Sequence, residues 1–209
     1  MLSSIFGKKI GMTQIFSEEG KSFPVTVIDI PRLFVTQVKT PENDGYAALQ
    51  VGMLRKRYVG KPFDRNWCSD KKKYFLHVRE IKVDDATLGK FKIGKEVKLD
   101  DVDVQKDTLV KATGKNKGKG FQGVVKRWGF GGGPSSHGSN FHRIPGSIGT
   151  ICSQGKVYKG KQLPGQCGCK QITISGLTIV DVDKEQGCLF VKGAVPGKRD
   201  SLLFISKQG

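Results

Sequence analysis

Apolar and polar residues alternate over short runs at both ends of the chain, and turn-forming residues separate the runs. This alternation predicts strands at 10–16, 23–30, 34–39, 46–54, 171–175, 177–183, 188–192 and 202–206. Clusters of Gly, Pro, Asn, Glu and Lys predict turns at 17–20, 41–45 and 184–187. Several short strands at about ten-residue spacing are typical of a barrel or a sandwich. The chain is therefore predicted to be mainly β (α+β), built around a β-barrel.

The middle of the chain interrupts this pattern twice. Residues 55–102 show no clean period apart from strands predicted at 74–83 and 91–99, and we interpret them as a small inserted domain. A strand over 104–113 then leads into residues 114–169, where sparse apolar residues follow no sustained period. The predicted organisation is a β-barrel body of residues 1–54, 103–113 and 170–209, the inserted domain 55–102, and an extended loop region 114–169.

Charge sets residues 114–169, called here the basic segment, apart from the rest. The 209 residues carry a formal net charge of +17, and no Asp or Glu occurs between residues 108 and 180. Folded surfaces normally mix both signs, so an acid-free basic run of this length indicates a polyanion partner. The segment also has too little apolar surface to offset the entropy of ordering itself in water. Nucleic acid threading between its side chains is the first candidate to hold it in shape.

Other classes of protein find less support. No apolar run approaches the roughly 20 residues that a membrane span needs, and the first residues do not resemble a signal peptide. The five cysteines, an odd number, indicate free thiols in a reducing cytoplasm. The Cys167-Gly168-Cys169 pair lacks the second ligand pair that zinc would require. We therefore predict no metal and no cofactor.

Two glycine motifs keep a phosphate-handling enzyme open as an alternative. Residues 118–123 fit GxGxxG, but no acid follows before Asp181 to hold a ribose hydroxyl. Residues 155–162 approach a Walker A loop, but Gln162 stands where a Ser or Thr would bind magnesium. No acidic residue is available nearby to orient His137 or His142 as a base. We expect no enzymatic activity and no catalytic residues.

The candidate RNA-binding residues are the cations, histidines and one tryptophan of the basic segment. Lysines and arginines would neutralise phosphates, and aromatic rings among cations, here Trp128, Phe130 and Phe141, suit the stacking of unpaired bases. Trp128 has a second reading, as an anchor that packs the root of the segment on the barrel. The predicted set is Lys115, Lys117, Lys119, Lys126, Arg127, Trp128, His137, His142, Arg143, Lys156, Lys159 and Lys161.

Several stretches in order resemble the bacterial family of ribosomal protein L-three, a protein of the large subunit. They are GKKIGMT at 7–13, PVTVI at 24–28, KGKGFQG at 117–123, KRW at 126–128, HGS at 137–139, PGSIG at 145–149, GKVYKG at 155–160 and LFVKGAVPG at 189–197. The resemblance implies a barrel of the kind shared with translation factors, an inserted domain, and a loop that reaches toward the peptidyl transferase centre. It also implies binding near the 3′ end of large-subunit rRNA, a role in starting subunit assembly, and a place in the cytoplasmic ribosome.

Neighbouring ribosomal proteins L-fourteen and L-nineteen are partners implied by the same resemblance. The chain departs from the family at Thr150, where many members have a glutamine that becomes methylated, and residues 55–102 look shortened. A non-ribosomal RNA chaperone remains the alternative function.

Overall fold

A computed structural model of the chain describes residues 1–150 and 155–208. These residues form two compact units, one of residues 1–115 and 171–209 and the other of residues 116–170. We call the first the body and the second the segment unit. Cys152, one of the five predicted free thiols, lies outside the described residues.

Strands dominate the described structure, and its helices are single turns. The strands are β1 (Ser4–Phe16), β2 (Ser22–Asp29), β3 (Leu33–Lys39), β4 (Ala48–Leu54), β5 (Phe75–Lys82), β6 (Glu96–Val97), β7 (Leu109–Lys115), β8 (Gly120–Gln122), β9 (Gly165–Cys167), β10 (Gln171–Asp183), β11 (Cys188–Lys192) and β12 (Leu202–Lys207). The α-helical turns are α1 (Pro41–Asp44), α2 (Lys71–Tyr74), α3 (Asp85–Leu88) and α4 (Val124–Trp128), and 3-10 turns span Lys56–Tyr58, Arg65–Cys68 and Leu99–Asp101. The prediction of a mainly β chain is confirmed.

Six strands of the body close into a barrel in the order β1-β12-β7-β10-β11-β2. Every neighbouring pair is antiparallel. Closure leaves no unpaired edge within the ring, and alternate side chains such as Ile5, Ile28, Val110 and Leu203 point inward and are fully buried. Burying each such side chain contributes about 1.5–3 kcal/mol, so this interior carries much of the body's stability. The predicted barrel is confirmed.

The body also contains a four-stranded sheet in the order β5-β4-β3-β6. Its strands β3 and β4 come from residues 33–54, which the sequence analysis assigned to the barrel, and that assignment is wrong. Alternation shows which face of a strand is buried but not which strand lies beside it, because pairing partners are set by contacts distant in sequence. The strand predicted at 91–99 is also mostly wrong, since Gly94 turns the chain at φ +88° and leaves only β6.

Both faces of the four-stranded sheet are covered. Leu33, Val35 and Leu49 belong to the main core together with the barrel interior. Phe34 and Phe75 belong to a smaller core on residues 54–78, which is built largely from aromatic rings. This second core organises residues 54–78, whereas Ile81, Leu88 and Val97, which also lie in the predicted inserted domain 55–102, belong to the main core.

Candidate nucleic-acid interface

The segment unit holds its fold with almost no hydrophobic core. Val124 is the sole buried side chain among its described residues. Residues 116–170 contain nine Lys and Arg and no Asp or Glu, so ion pairs within the unit cannot balance their charge. A folded domain normally depends on buried apolar area, and here backbone hydrogen bonds and glycine turns take its place.

A short antiparallel ladder joins the two ends of this unit. Strand β8 pairs with β9 from Gly120–Cys167 to Gln122–Gly165, and the Lys119 N–H donates to the Cys167 carbonyl at 2.9 Å. Gly168 turns the chain next to this ladder at φ +77°, and a Cβ placed on it would lie 2.1 Å from the Lys117 carbonyl oxygen. Both the dihedral angle and the close approach require glycine at this position.

Arg127 and Trp128 converge on one carbonyl across the unit. The Arg127 Nη1 donates to the Leu163 oxygen at 2.5 Å, and the Trp128 Nε1 donates to the same oxygen at 3.0 Å. The guanidinium also lies over the indole ring, with Cζ 4.9 Å from the ring centroid. Gly165 makes room for it, because a Cβ there would lie 2.6 Å from Arg127 Nη1. These contacts fasten α4 to residues 163–165.

The glycine cluster at 131–133 closes a second junction in the unit. The Gly133 N–H donates to the His142 carbonyl at 2.8 Å, and a Cβ on Gly132 would lie 2.5 Å from that oxygen. His137 and His142 both adopt positive φ, at 59° and 28°. The histidines therefore occupy tight turns, and no Asp or Glu exists within residues 116–170 to orient their rings.

The structure leaves nearly all the predicted RNA-binding side chains open to solvent. Arg127 is half-buried, and the other eleven are exposed. Among the described residues none of the twelve forms an ion pair. Lys115 lies at the end of β7 in the body, and the remaining eleven belong to the segment unit. Arg127 and Trp128 are brought together, whereas the lysines are spread along the unit.

Large apolar rings accompany these cations on the surface. Phe121 is 75% exposed, Tyr158 is 63% exposed and Phe141 is 60% exposed. Phe141 was predicted from the sequence as a ring for base stacking, whereas Phe121 and Tyr158 were not. Each lies within two residues of a lysine in an acid-free run, which is the signal that could have identified them.

The geometry does not support the rival phosphate-binding motifs. The GxGxxG of residues 118–123 contains β8, which pairs antiparallel with β9. It is therefore not the turn of a parallel strand–helix–strand unit, which a dinucleotide fold requires. Residues 155–162 contain neither a strand nor a helix. Within residues 1–150 and 155–208, no three His, Cys, Asp or Glu side chains gather as metal ligands. No helix of the described chain is long and apolar enough to cross a membrane.

Comparison with known proteins identifies the family. Residues 69–188 match the family model described as Ribosomal protein L3. The chain is 43% identical to the large ribosomal subunit protein uL3 of Syntrophus aciditrophicus, over 99% of this chain and 94% of that relative. It is 42% identical to the uL3 of Geobacter sulfurreducens, over 98% and 97%, and 41% identical to that of Dehalococcoides mccartyi, over the full length of both. The chain therefore belongs to the ribosomal protein L3 family, whose members are structural, non-enzymatic proteins of the large ribosomal subunit.

Proposed function

We propose that this structural protein of the large subunit binds large-subunit rRNA mainly through the segment unit and Lys115. The observation that carries the proposal is the composition of that unit, which has nine cations, no acid, several exposed rings and, among its described residues, one buried side chain. Water alone offers such a surface no compensating charge. A polyanion supplies that charge, and binding releases the counterions that the RNA had condensed.

Within this proposal the exposed side chains divide by chemistry. The lysines and Arg143 bind phosphates as charges, while Phe121, Phe141 and Tyr158 present free ring faces on which unpaired bases stack. Arg127 and Trp128 hold the unit's fold and present the outer side of their stacked pair to the RNA. The histidines serve as hydrogen-bond donors in tight turns.

Four finer parts of the proposal rest on family resemblance. They are binding near the 3′ end of the rRNA, a role in starting subunit assembly, a reach toward the peptidyl transferase centre, and contact with the neighbouring proteins L-fourteen and L-nineteen. The working site is the cytoplasmic ribosome, in keeping with the family. No observation favours the RNA-chaperone alternative.

A salt-washed sucrose gradient of cell lysate tests the proposal. The chain is expected to sediment with the large subunit and to stay there as salt rises, because many phosphate contacts must break together. A Lys117/Lys119/Lys126→Gln variant, which removes three exposed charges, should be released at lower salt. A matched Lys82/Lys90/Lys106→Gln variant removes three exposed charges from the body and should behave as the wild type. Recovery of the wild-type chain at the top of the gradient would overturn the proposal.

A further inference from the structure

A second cationic surface lies in the body, on residues 55–74, and the proposed function does not use it. This stretch of 20 residues contains eight Lys and Arg against the two acids Asp64 and Asp70. We call it the 55–74 surface. Its cations are Arg55, Lys56, Arg57, Lys61, Arg65, Lys71, Lys72 and Lys73.

The fold joins two cationic runs that are separate in the sequence. The Arg55 N–H donates to the Tyr74 carbonyl at 3.1 Å, and the Arg55 Nη2 donates to the Lys72 carbonyl at 2.9 Å. Residues 55–57 and 71–73 therefore lie side by side. The charge density of this surface is a property of the folded body and not of either run alone.

Aromatic rings pack against one another directly beneath these cations. The Tyr58 and Tyr74 ring centroids are 5.0 Å apart, and Trp67 stacks on Tyr74 at 5.6 Å with an interplanar angle of 15°. Lys61 Nζ lies 5.5 Å from the Tyr58 centroid and Lys73 Nζ lies 5.3 Å from the Tyr74 centroid. Neighbouring rings and lysines cover these ring faces, so they are not free to stack on a base.

The acids in this stretch do not neutralise its cations. The Asp64 carboxylate accepts the Asn66 N–H at 3.0 Å, and across the described residues no cation of the 55–74 surface forms an ion pair. Lys71 is engaged structurally, since its Nζ donates to Gln50 Oε1 at 2.5 Å. Lys56, Arg57 and Lys72 are exposed, and they make none of the ring contacts described above.

We propose that the 55–74 surface is a second RNA contact, which binds backbone phosphates without reading bases. Its charges are fixed by the fold and unbalanced, and its rings are covered, so phosphate is the RNA group that it can recognise. A protein partner fits less well. Protein interfaces usually centre on apolar side chains that are exposed before binding, and they contain fewer lysines than the rest of the surface. The rings of the 55–74 surface are instead buried or half-buried, and neighbouring rings and lysines cover them. The inference extends the proposed function from one RNA contact to two.

The test is a salt titration of the full-length chain binding to purified large-subunit rRNA. The wild type is compared with Lys56/Arg57/Lys72→Gln, with Lys117/Lys119/Lys126→Gln, and with the control Lys82/Lys90/Lys106→Gln, each of which removes three exposed charges. Each lost phosphate contact should lower the slope of log Kobs against log salt by about 0.7–0.9. We expect the 55–74 variant to lose about 2–3 in slope, and to lose it equally on an unrelated structured RNA.

The outcomes separate this inference from the proposed function. If the segment variant loses slope and the 55–74 variant does not, the second contact is wrong and the proposed function stands. If neither variant loses slope, both are wrong. A second readout is acylation of Lys56 and Lys72 in intact subunits, where protection should disappear after ribonuclease treatment. Protection that survives ribonuclease would show that a protein covers this surface and would overturn the RNA assignment.

Discussion

The contact of Arg127 and Trp128 with the Leu163 carbonyl makes a graded prediction about the stability of the segment unit. Trp128→Ala removes a hydrogen bond worth about 1 kcal/mol and a cation–ring contact worth about 0.5–1 kcal/mol at an exposed site. The substitution should therefore lower the free energy of local opening by about 2 kcal/mol, which raises the open population roughly 30-fold. Trp128→Phe keeps a ring beneath the guanidinium and loses the N–H donor. We therefore expect it to lower the free energy of local opening by about 1 kcal/mol and to raise the open population roughly fivefold.

Hydrogen exchange of the full-length chain measures this opening directly. The Gly129 N–H donates to the Val125 carbonyl at 3.0 Å and reports on α4, while the Lys207 N–H donates to the Ser3 carbonyl at 2.8 Å and reports on the barrel. Exchange at Gly129 should be slowest in the wild type, faster in Trp128→Phe and fastest in Trp128→Ala, while exchange at Lys207 stays constant. Unchanged exchange at Gly129 in Trp128→Ala would show that the Trp128 side chain does not hold α4 in place.

The same substitution leaves Trp67 as the one tryptophan of the chain. Trp67 is 5% exposed in the aromatic core of the body, so its fluorescence reports unfolding of the body alone. We expect its denaturation midpoint to stay at the wild-type value in Trp128→Ala. In cells the variant should show a reduced large-subunit peak, since RNA would meet a segment unit that is less often folded. Normal growth with a normal subunit profile would contradict this step.

Two further predictions concern local structure. Gly168→Ala should accelerate exchange of the Lys119 N–H far more than Gly120→Ala does. Both sites have positive φ, but an added Cβ would lie 2.1 Å from the Lys117 carbonyl oxygen at Gly168 and would meet nothing within 4 Å at Gly120. Glu80 has its pKa lowered chiefly by the hydrogen bond from Lys39, so the stability it contributes should be present above the ordinary glutamate pKa and lost as the pH falls through the lowered pKa of the folded state. In urea titrations Glu80→Gln should therefore be less stable than the wild type at pH 7, and the difference should shrink as the pH falls below the ordinary glutamate pKa. A difference that stays constant at low pH would contradict the assignment.

The alternation of apolar and polar residues predicted most of the individual strands of this fold. Alternation placed four of the six barrel strands, β2, β10, β11 and β12, within about two residues of their observed bounds. It began β7 five residues too early and missed the first six residues of β1. There the glycine and lysines of 7–9 follow no simple alternation, and only pairing with β12 and β2 shows the strand to be continuous. Gly176 split β10 in the prediction, whereas the structure accommodates it as an irregularity in the ladder with β7.

Contacts between distant residues could not be anticipated in the same way. The Leu163 carbonyl that receives Arg127 and Trp128 lies 35 or more residues away, and a backbone oxygen has no signature in a sequence. The pairing of residues 55–57 with 71–73 is likewise invisible until Arg55 is seen to bond to Lys72. Composition indicated that a cationic surface exists, and tertiary structure determined that there are two.

The two cationic surfaces differ in how much their charged side chains contribute to the stability of the fold. In the 55–74 surface, Lys61 and Lys73 lie over rings of the aromatic core, so part of its charge is also part of the body's packing. In the segment unit the lysines make no ion pair within the described chain, and Val124 alone is buried, so removing their charge should leave the fold unchanged. The fold of that unit depends instead on glycines and on two side chains that share a carbonyl. Substitutions in the segment unit should therefore fall into two groups. Substitution of its lysines should weaken RNA binding without changing the fold, whereas substitution of Gly165, Gly168 or Trp128 should lower the stability of the unit.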